Sequence, residues 1–184
     1  MRTSPFPAHP AAMNHTTLLH HLIAASAQRN PDAPAVTFSG ATQSYAELDA
    51  AIGRFAAGLL ALGLERGERV AIYLDKRPET VTAFFGTSAA GGVFVPVNPI
   101  LKAEQVGYIL QDCNVRVLVT SPERFATLRD TLAGCHDLRH VVLTGKVDTL
   151  PELPGASVVR WDDLCAAPPV AGHRIIVTVM AAIL

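Results

Sequence analysis

Apolar residues recur at helical spacing from the start of the patterned part of the chain. Leu18, Leu19, Leu22 and Ile23 follow Thr16 and Thr17, which can cap, and the run ends at Asn30-Pro31, where proline disfavours another turn. A first helix is predicted there. Residues 35–39 alternate loosely and meet Gly40, as a strand does. Ser44-Tyr45-Ala46-Glu47 fits a capping box, in which the Ser and Glu side chains each accept a hydrogen bond from the other residue's free amide. Behind it Leu48, Ile52, Phe55, Ala56 and Leu59 repeat at three and four, up to Gly63, placed where a left-handed C-terminal residue is wanted. A charged turn around Gly67 leads into a short apolar run at 69–74. Pro78 then stands at a first helical position ahead of Val81, Phe84 and Phe85.

The same alternation continues. Gly91-Gly92 closes the helix, residues 93–97 are apolar and uncharged, and Val106, Ile109 and Leu110 restore helical spacing over 101–110. Residues 115–120 read as a strand, Ser121-Pro122-Glu123 as a helix start followed by Leu128, Leu132 and Gly134, and 140–143 as another strand. Strands alternating with helices predict an α/β fold, a parallel sheet with helices on both faces. The chain divides into a flexible N-terminal arm over 1–16, an α/β subdomain over 17–145, a proline-rich connecting region over 146–173 with one short helix at 161–166, and an apolar strand over 174–184. That last segment is expected to lack anything that turns, caps or covers it, which is unusual for a natural terminus.

Composition narrows the function. The 184 residues suit one ordinary domain, and 49% apolar against 17% charged residues excludes a disordered polyelectrolyte. A formal charge of −1, without any run of Lys or Arg beyond two, leaves no footprint for nucleic acid. Three widely spaced cysteines, Cys113, Cys135 and Cys165, suit a reducing cytoplasm better than a disulfide framework and do not indicate zinc. The first fifteen residues have no apolar core of a secretory signal. Residues 80–101 carry no charge and are long enough to span a bilayer, but Gly91, Gly92, Pro96, Asn98 and Pro99 break the stretch into a buried helix and a buried strand.

Candidate chemistry is sparse. None of Lys76, Lys102 and Lys146 follows the glycine set of a phosphate loop, and Gly91-Gly92 sits at a helix end, where it offers no helix amides to a phosphate. Cys135, His136 and His140 cluster within six residues, yet Gly134 and the strand after them oppose a shared metal-binding face. His20 and His21 point about 100° apart on a helix and read as surface histidines. Asp162 and Asp163 fit the first turn of a helix, where acids favour the dipole. Asp75-Lys76-Arg77, at a strand exit where open α/β sheets place their sites, reads as a solvated turn before it reads as a contact for a ligand phosphate or carboxylate.

In order, these segments resemble the adenylate-forming superfamily of acyl-CoA synthetases, aryl-CoA ligases and peptide-synthetase adenylation domains. Ser44-Tyr45-Ala46-Glu47-Leu48 is similar to its first core motif, and Gly67-Glu68-Arg69-Val70-Ala71-Ile72 to its G-D-R-V-A-I strand entry. Pro78-Glu79 matches the P-E that opens the next helix. Residues 89–99, Ala-Ala-Gly-Gly-Val-Phe-Val-Pro-Val-Asn-Pro, resemble the second core motif. Glu104-Gln105-Val106 with Tyr108-Ile109-Leu110 and Asp112 resemble the helix after it. The wording from Tyr73 to Asn98 is similar to acyl-CoA ligases tied to exosortase loci. Met180-Ala181-Ala182-Ile183-Leu184 resembles the strand leading into the family's phosphate loop, although relatives usually carry an acidic residue where this chain has Val179.

The resemblance implies a ligase that turns a carboxylate and ATP into an acyl-adenylate, releases pyrophosphate and passes the acyl group to a thiol, with ATP, magnesium and coenzyme A serving the full-length enzyme. The family's glycine-rich loop ending in lysine, its adenine and ribose contacts and its C-terminal lysine have no counterpart in these residues. No catalytic, cofactor-binding or metal-binding residue is therefore carried over. The leading expectation is an N-terminal portion of such a ligase, catalytically silent alone, whose partner is the remainder of the enzyme or a second copy joined through the apolar end. The alternative is a non-enzymatic interaction module pairing through that end. A small nucleotide-binding protein of flavodoxin-like form ranks last.

Overall fold

A computed structural model describes residues 18–166, and the expectations for 1–16 and 174–184 lie outside them. The helix predicted from Leu18 onward forms as α1 (His21–Arg29). It is followed by β1 (Pro34–Phe38) and β2 (Ala41–Ser44), which pair antiparallel with one another. This hairpin departs from the sequence expectation. The pattern predicts that residues 35–39 supply a strand of the alternating α/β series, but Ser39 and Gly40 both take positive φ, 49° and 81°. That is the two-residue turn that folds a strand back on its neighbour. Thr37 and Thr42 hydroxyls meet across the hairpin at 2.9 Å. The pair stands apart from the main sheet.

The remaining elements are α2 (Tyr45–Ala61), β3 (Arg69–Tyr73), α3 (Pro78–Ala89), β4 (Val93–Pro96), α4 (Ala103–Asp112), β5 (Val115–Thr120), α5 (Pro122–Leu132), β6 (His140–Leu143), β7 (Ser157–Arg160) and α6 (Trp161–Cys165). Five strands form one parallel sheet in the order β4-β3-β5-β6-β7. The edge strand β7 is a second departure. Its residues read as part of the proline-rich connection, and only four positions between Gly155 and the helix carry the strand. β7 holds its place because Ser157 N–H donates to Arg139 C=O, and the Ser157 hydroxyl meets His140 Nδ1 at 2.7 Å.

Alternation along each strand assigns the two faces. Ala71 and Tyr73, with Val95, Leu118, Val141 and Leu143, lie under Val106 and Leu110 of α4 and Phe125, Leu128 and Leu132 of α5. Val70, Ile72, Val117, Val119 and Val142 lie under Phe55 and Leu59 of α2, Ala83 of α3 and Leu164 of α6. The two-residue period slips once: Val115 and Val117 face opposite sides because the ladder skips Arg116, pairing Arg69 with Val115 and Val70 with Val117. Glycines permit the close helix contacts. A Cβ on Gly58 would strike the Leu164 carbonyl oxygen, and one on Gly107 would strike Thr131. No helix among the described residues is long and apolar enough to cross a membrane, and 80–101 separates into α3, β4 and the turn after it.

Candidate functional site

Chain order fixes where a doubly wound sheet would hold a ligand. From β3 the chain moves outward to β4 and then returns to the other side of β3 as β5, so the connections diverge above the C-terminal ends of β3 and β5. This crevice is closed by a side chain from the first turn of α5. Arg124 lies 4.6 Å above the Tyr73 ring, donates to Asp75 at 2.7 Å and donates to the Pro99 carbonyl at 2.8 Å. Beneath it Tyr73 donates to the Leu101 carbonyl at 2.8 Å, and Thr120 to the Tyr73 carbonyl at 3.0 Å. The guanidinium joins the loops after β3 and β4 across the Tyr73 ring. Sequence reasoning missed Arg124, because only the fold brings α5 over β3.

The predicted Asp75-Lys76-Arg77 cluster is dispersed by its own pairings. Asp75 goes to Arg124, Lys76 is exposed, and Arg77 grips Glu79 with two hydrogen bonds of 2.8 and 2.6 Å. The bond to Glu79 raises the Arg77 pKa; burial pushes Glu79 upward, but the Arg77 pair and a backbone bond outweigh it and hold the carboxyl below its ordinary range. Pro78-Glu79 thus fastens the start of α3.

The other sequence candidates are equally occupied. Gly91 takes φ 80° and Gly92 packs against Leu64 and Thr87, while their amides donate to Ser88 and Thr87 carbonyls. The Gly63 and Gly67 amides donate to Leu60 and Gly91 carbonyls. These glycine donors are therefore used within the fold and give no cradle for phosphate, and no group of three His, Cys, Asp or Glu is gathered among the described residues to hold a magnesium ion. Cys135 is buried, with its thiol directed at the Thr131 carbonyl, His136 is exposed, and His140 is bound to Ser157. Burial raises the pKa of Cys113, Cys135 and Cys165, the last to about 11, so none is an activated thiol. Asp162 and Asp163 lie in the first turn of α6, and Asp163 pairs with Arg160 at 3.4 Å.

His20 departs from the surface reading. Its ring is half-buried, with Nδ1 3.4 Å from the Ser88 hydroxyl and the His21 ring edge-on at 4.6 Å, and burial followed by the neighbouring His21 lowers its pKa from 6.5 to about 4. The motif residues also have evident structural contacts. Ser44 N–H donates to Glu47 at 2.8 Å and Glu47 N–H to Ser44 at 3.3 Å, while Glu68 pairs with Arg116 at 3.1 Å and Arg139 at 3.5 Å.

Clefts are open elsewhere among the described residues, one of them of about 500 Å³ beside Arg129, Leu150 and Val158. Between the hairpin and α2, α3 and α6 run two clefts, of about 380 and about 580 Å³, that share Gln43, Arg54 and Pro78 and so form one trough. Gln43 Oε1 is buried there without a hydrogen-bond partner. Trp161, stacked on Phe55 at 4.7 Å, forms part of the wall.

Comparison with known proteins agrees with the motif order. The model of the AMP-binding enzyme family matches residues 23–177. Surfactin synthase subunit 3 of Bacillus subtilis is 37% identical over 114 residues, which are 62% of this chain and 9% of that protein. Feruloyl-CoA synthase of an Amycolatopsis species is 35% identical over 139 residues, 76% of this chain and 28% of that one. In three dimensions, a benzoate CoA ligase from Burkholderia xenovorans superposes with a TM-score of 0.71 at 21% identity, covering 86% of this chain and 30% of its own. The chain thus spans less than a third of the length of each of these relatives.

Proposed function

Because the chain belongs to the AMP-binding enzyme family, we propose that it forms the opening α/β unit of an AMP-forming acid–thiol ligase. The family match over 23–177, laid on a matching fold, carries this reading. Such an enzyme must neutralise a triphosphate and align a carboxylate oxygen with the α-phosphorus. In the whole protein, ATP, magnesium and coenzyme A would supply the phosphoryl and thiol chemistry. The described residues contribute a rigid support: the sheet, its two helical layers and the Arg124 clamp above β3 and β5. Three unpaired thiols support a reducing compartment such as the cytoplasm. The relatives include a surfactin synthase subunit as well as a feruloyl-CoA synthase, so family membership does not by itself fix the thiol that accepts the acyl group.

The 184 residues alone are expected to be silent, since the glycine amides are spent and no lysine follows a glycine-rich loop. The test is pyrophosphate release with ATP, magnesium, coenzyme A and a panel of fatty and aromatic acids. The isolated chain should remain at the blank rate, whereas a protein joining this sequence to the remaining ligase motifs should respond to at least one acid. Release by the isolated chain would overturn the silent reading. Failure of the completed protein with every acid would overturn the ligase reading and leave a non-enzymatic interaction module, whose pairing segment 174–184 lies outside the described residues.

A further inference from the structure

The β1–β2 hairpin is a sheet of two strands, and among the described residues no third strand pairs with either outer edge. Two strands alone are marginal in water, and a third strand or a well-packed face is what ordinarily holds them. The packed face is only partial here. α2 and α3 lie beside the hairpin and Val36 is half-buried, but Phe38 remains 45% exposed.

Hydrogen bonding leaves the same gap. Phe38 and Ala41 flank the two-residue turn and exchange bonds, so the next pair, Thr37 and Thr42, directs its amides and carbonyls outward. The 2.9 Å approach of their hydroxyls is the close spacing of such a pair. On the other face Gln43 shares the trough with Val36 and Phe38, and its Oε1 is buried without a donor, a costly state. The β4 edge of the main sheet is different. Val93 and Val97 amides bond inward to carbonyls at 68 and 72, so an outward position falls to Pro96, which has no N–H to offer. That edge is blunted against a further strand, whereas the hairpin has a proline only at its far end, Pro34.

The matched relatives extend well past this unit. It spans 28% of the feruloyl-CoA synthase and 30% of the benzoate CoA ligase chain, so more than two-thirds of each polypeptide lies outside it. We propose that the hairpin is the docking surface for that remaining ligase polypeptide, which lays an extended segment along one outer edge, covers Phe38 with an apolar side chain and supplies a donor to Gln43 Oε1. Main-chain bonds from Thr37 or Thr42 give the pairing its strength, and the Phe38 face sets its register. The identity of the partner rests on the ligase reading.

Amide hydrogen exchange tests it. The full 184-residue chain is co-produced with the part of the Amycolatopsis feruloyl-CoA synthase that follows its matched segment, and exchange is compared with that of the chain alone. The two polypeptides should purify together, with the Thr37 or Thr42 amide exchanging about tenfold more slowly than in the chain alone. Phe38→Glu, at an exposed position, should weaken the association by about tenfold or more while amides of β3 and β5 stay protected. Failure to associate, or association with both threonine amides at the rate of the chain alone, overturns the proposal. Protection already present in the chain alone also overturns it, showing a segment in cis if independent of concentration and a second copy if not. Because exchange is read rather than turnover, a protected complex that releases no pyrophosphate would count against the ligase reading alone, and an active one with unprotected threonines against the docking surface alone.

Discussion

Ser44 and His20 show single side chains setting the conditions under which an element holds. Ser44 caps α2 and shares the capping box with Glu47, so Ser44→Ala should cost about 1 kcal/mol, the usual worth of such a cap. Chemical denaturation would show it as a lower midpoint at unchanged slope. His20 acts through its protons. Packed neutral against Ser88, it has a folded-state pKa of about 4, against 6.5 when unfolded. The unfolded chain therefore binds more protons between those values, and stability that is complete above pH 6.5 declines as pH falls toward 4. His140, lowered chiefly by burial, adds to the same trend. His20→Gln should flatten, without abolishing, the loss of melting temperature over that range. An unchanged pH profile would rule out His20 as a contributor.

At the scale of elements, packing is governed by two close approaches and one clamp. Gly58 lets α6 settle on α2, because a methyl there would meet the Leu164 backbone, which cannot rotate away as a side chain can. Gly58→Ala is expected to destabilise by about 1 to 3 kcal/mol and to separate Trp161 from Phe55, so tryptophan emission should shift to longer wavelength. Arg124 joins α5 to β3 and to the Pro99 turn; Arg124→Lys keeps the charge but loses the planar fork that serves Asp75 and Pro99 together. Asp75 is largely exposed, so the ion pair itself contributes little, and Arg124→Lys should lower stability by about 1 kcal/mol, mostly through the Pro99 bond and the Tyr73 contact. Equal melting temperatures for the two proteins would refute that role.

For the molecule as a whole, the sheet order places the structural emphasis on the C-terminal ends of β3 and β5, and Arg124 fills that position from within. A doubly wound sheet of this order elsewhere binds a ligand there. In this chain the glycine amides at 63, 67, 91 and 92 are all returned to the protein's own carbonyls, so the unit is expected to bind ATP no more tightly alone than a nonspecific protein does. Titration calorimetry with ATP and magnesium checks this directly, and submicromolar binding by the isolated chain would contradict it.

Local chemistry was legible in the sequence because it is decided within a few residues. The Ser44–Glu47 box, the left-handed Gly63 and Gly91, Pro78 and Pro122 at helix starts and the apolar runs of β3, β5 and β6 each require only neighbours along the chain. Their alternation adds up to the parallel sheet and its two covered faces. Features that depend on distant partners were not legible. Residues 34–38 have a strand's pattern, but whether they join the main sheet or fold back on β2 depends on a turn and on what α2 already covers. Ser157–Arg160 is too short and too closely flanked by prolines to announce itself, and is a strand because β6 offers it an edge. His20 reads as a surface residue until α3 brings Ser88 beside it, and Arg124 as one more exposed arginine until α5 crosses β3. Periodicity and caps are properties of sequence, whereas burial, pairing and the joining of residues about fifty positions apart arise only when the layers close.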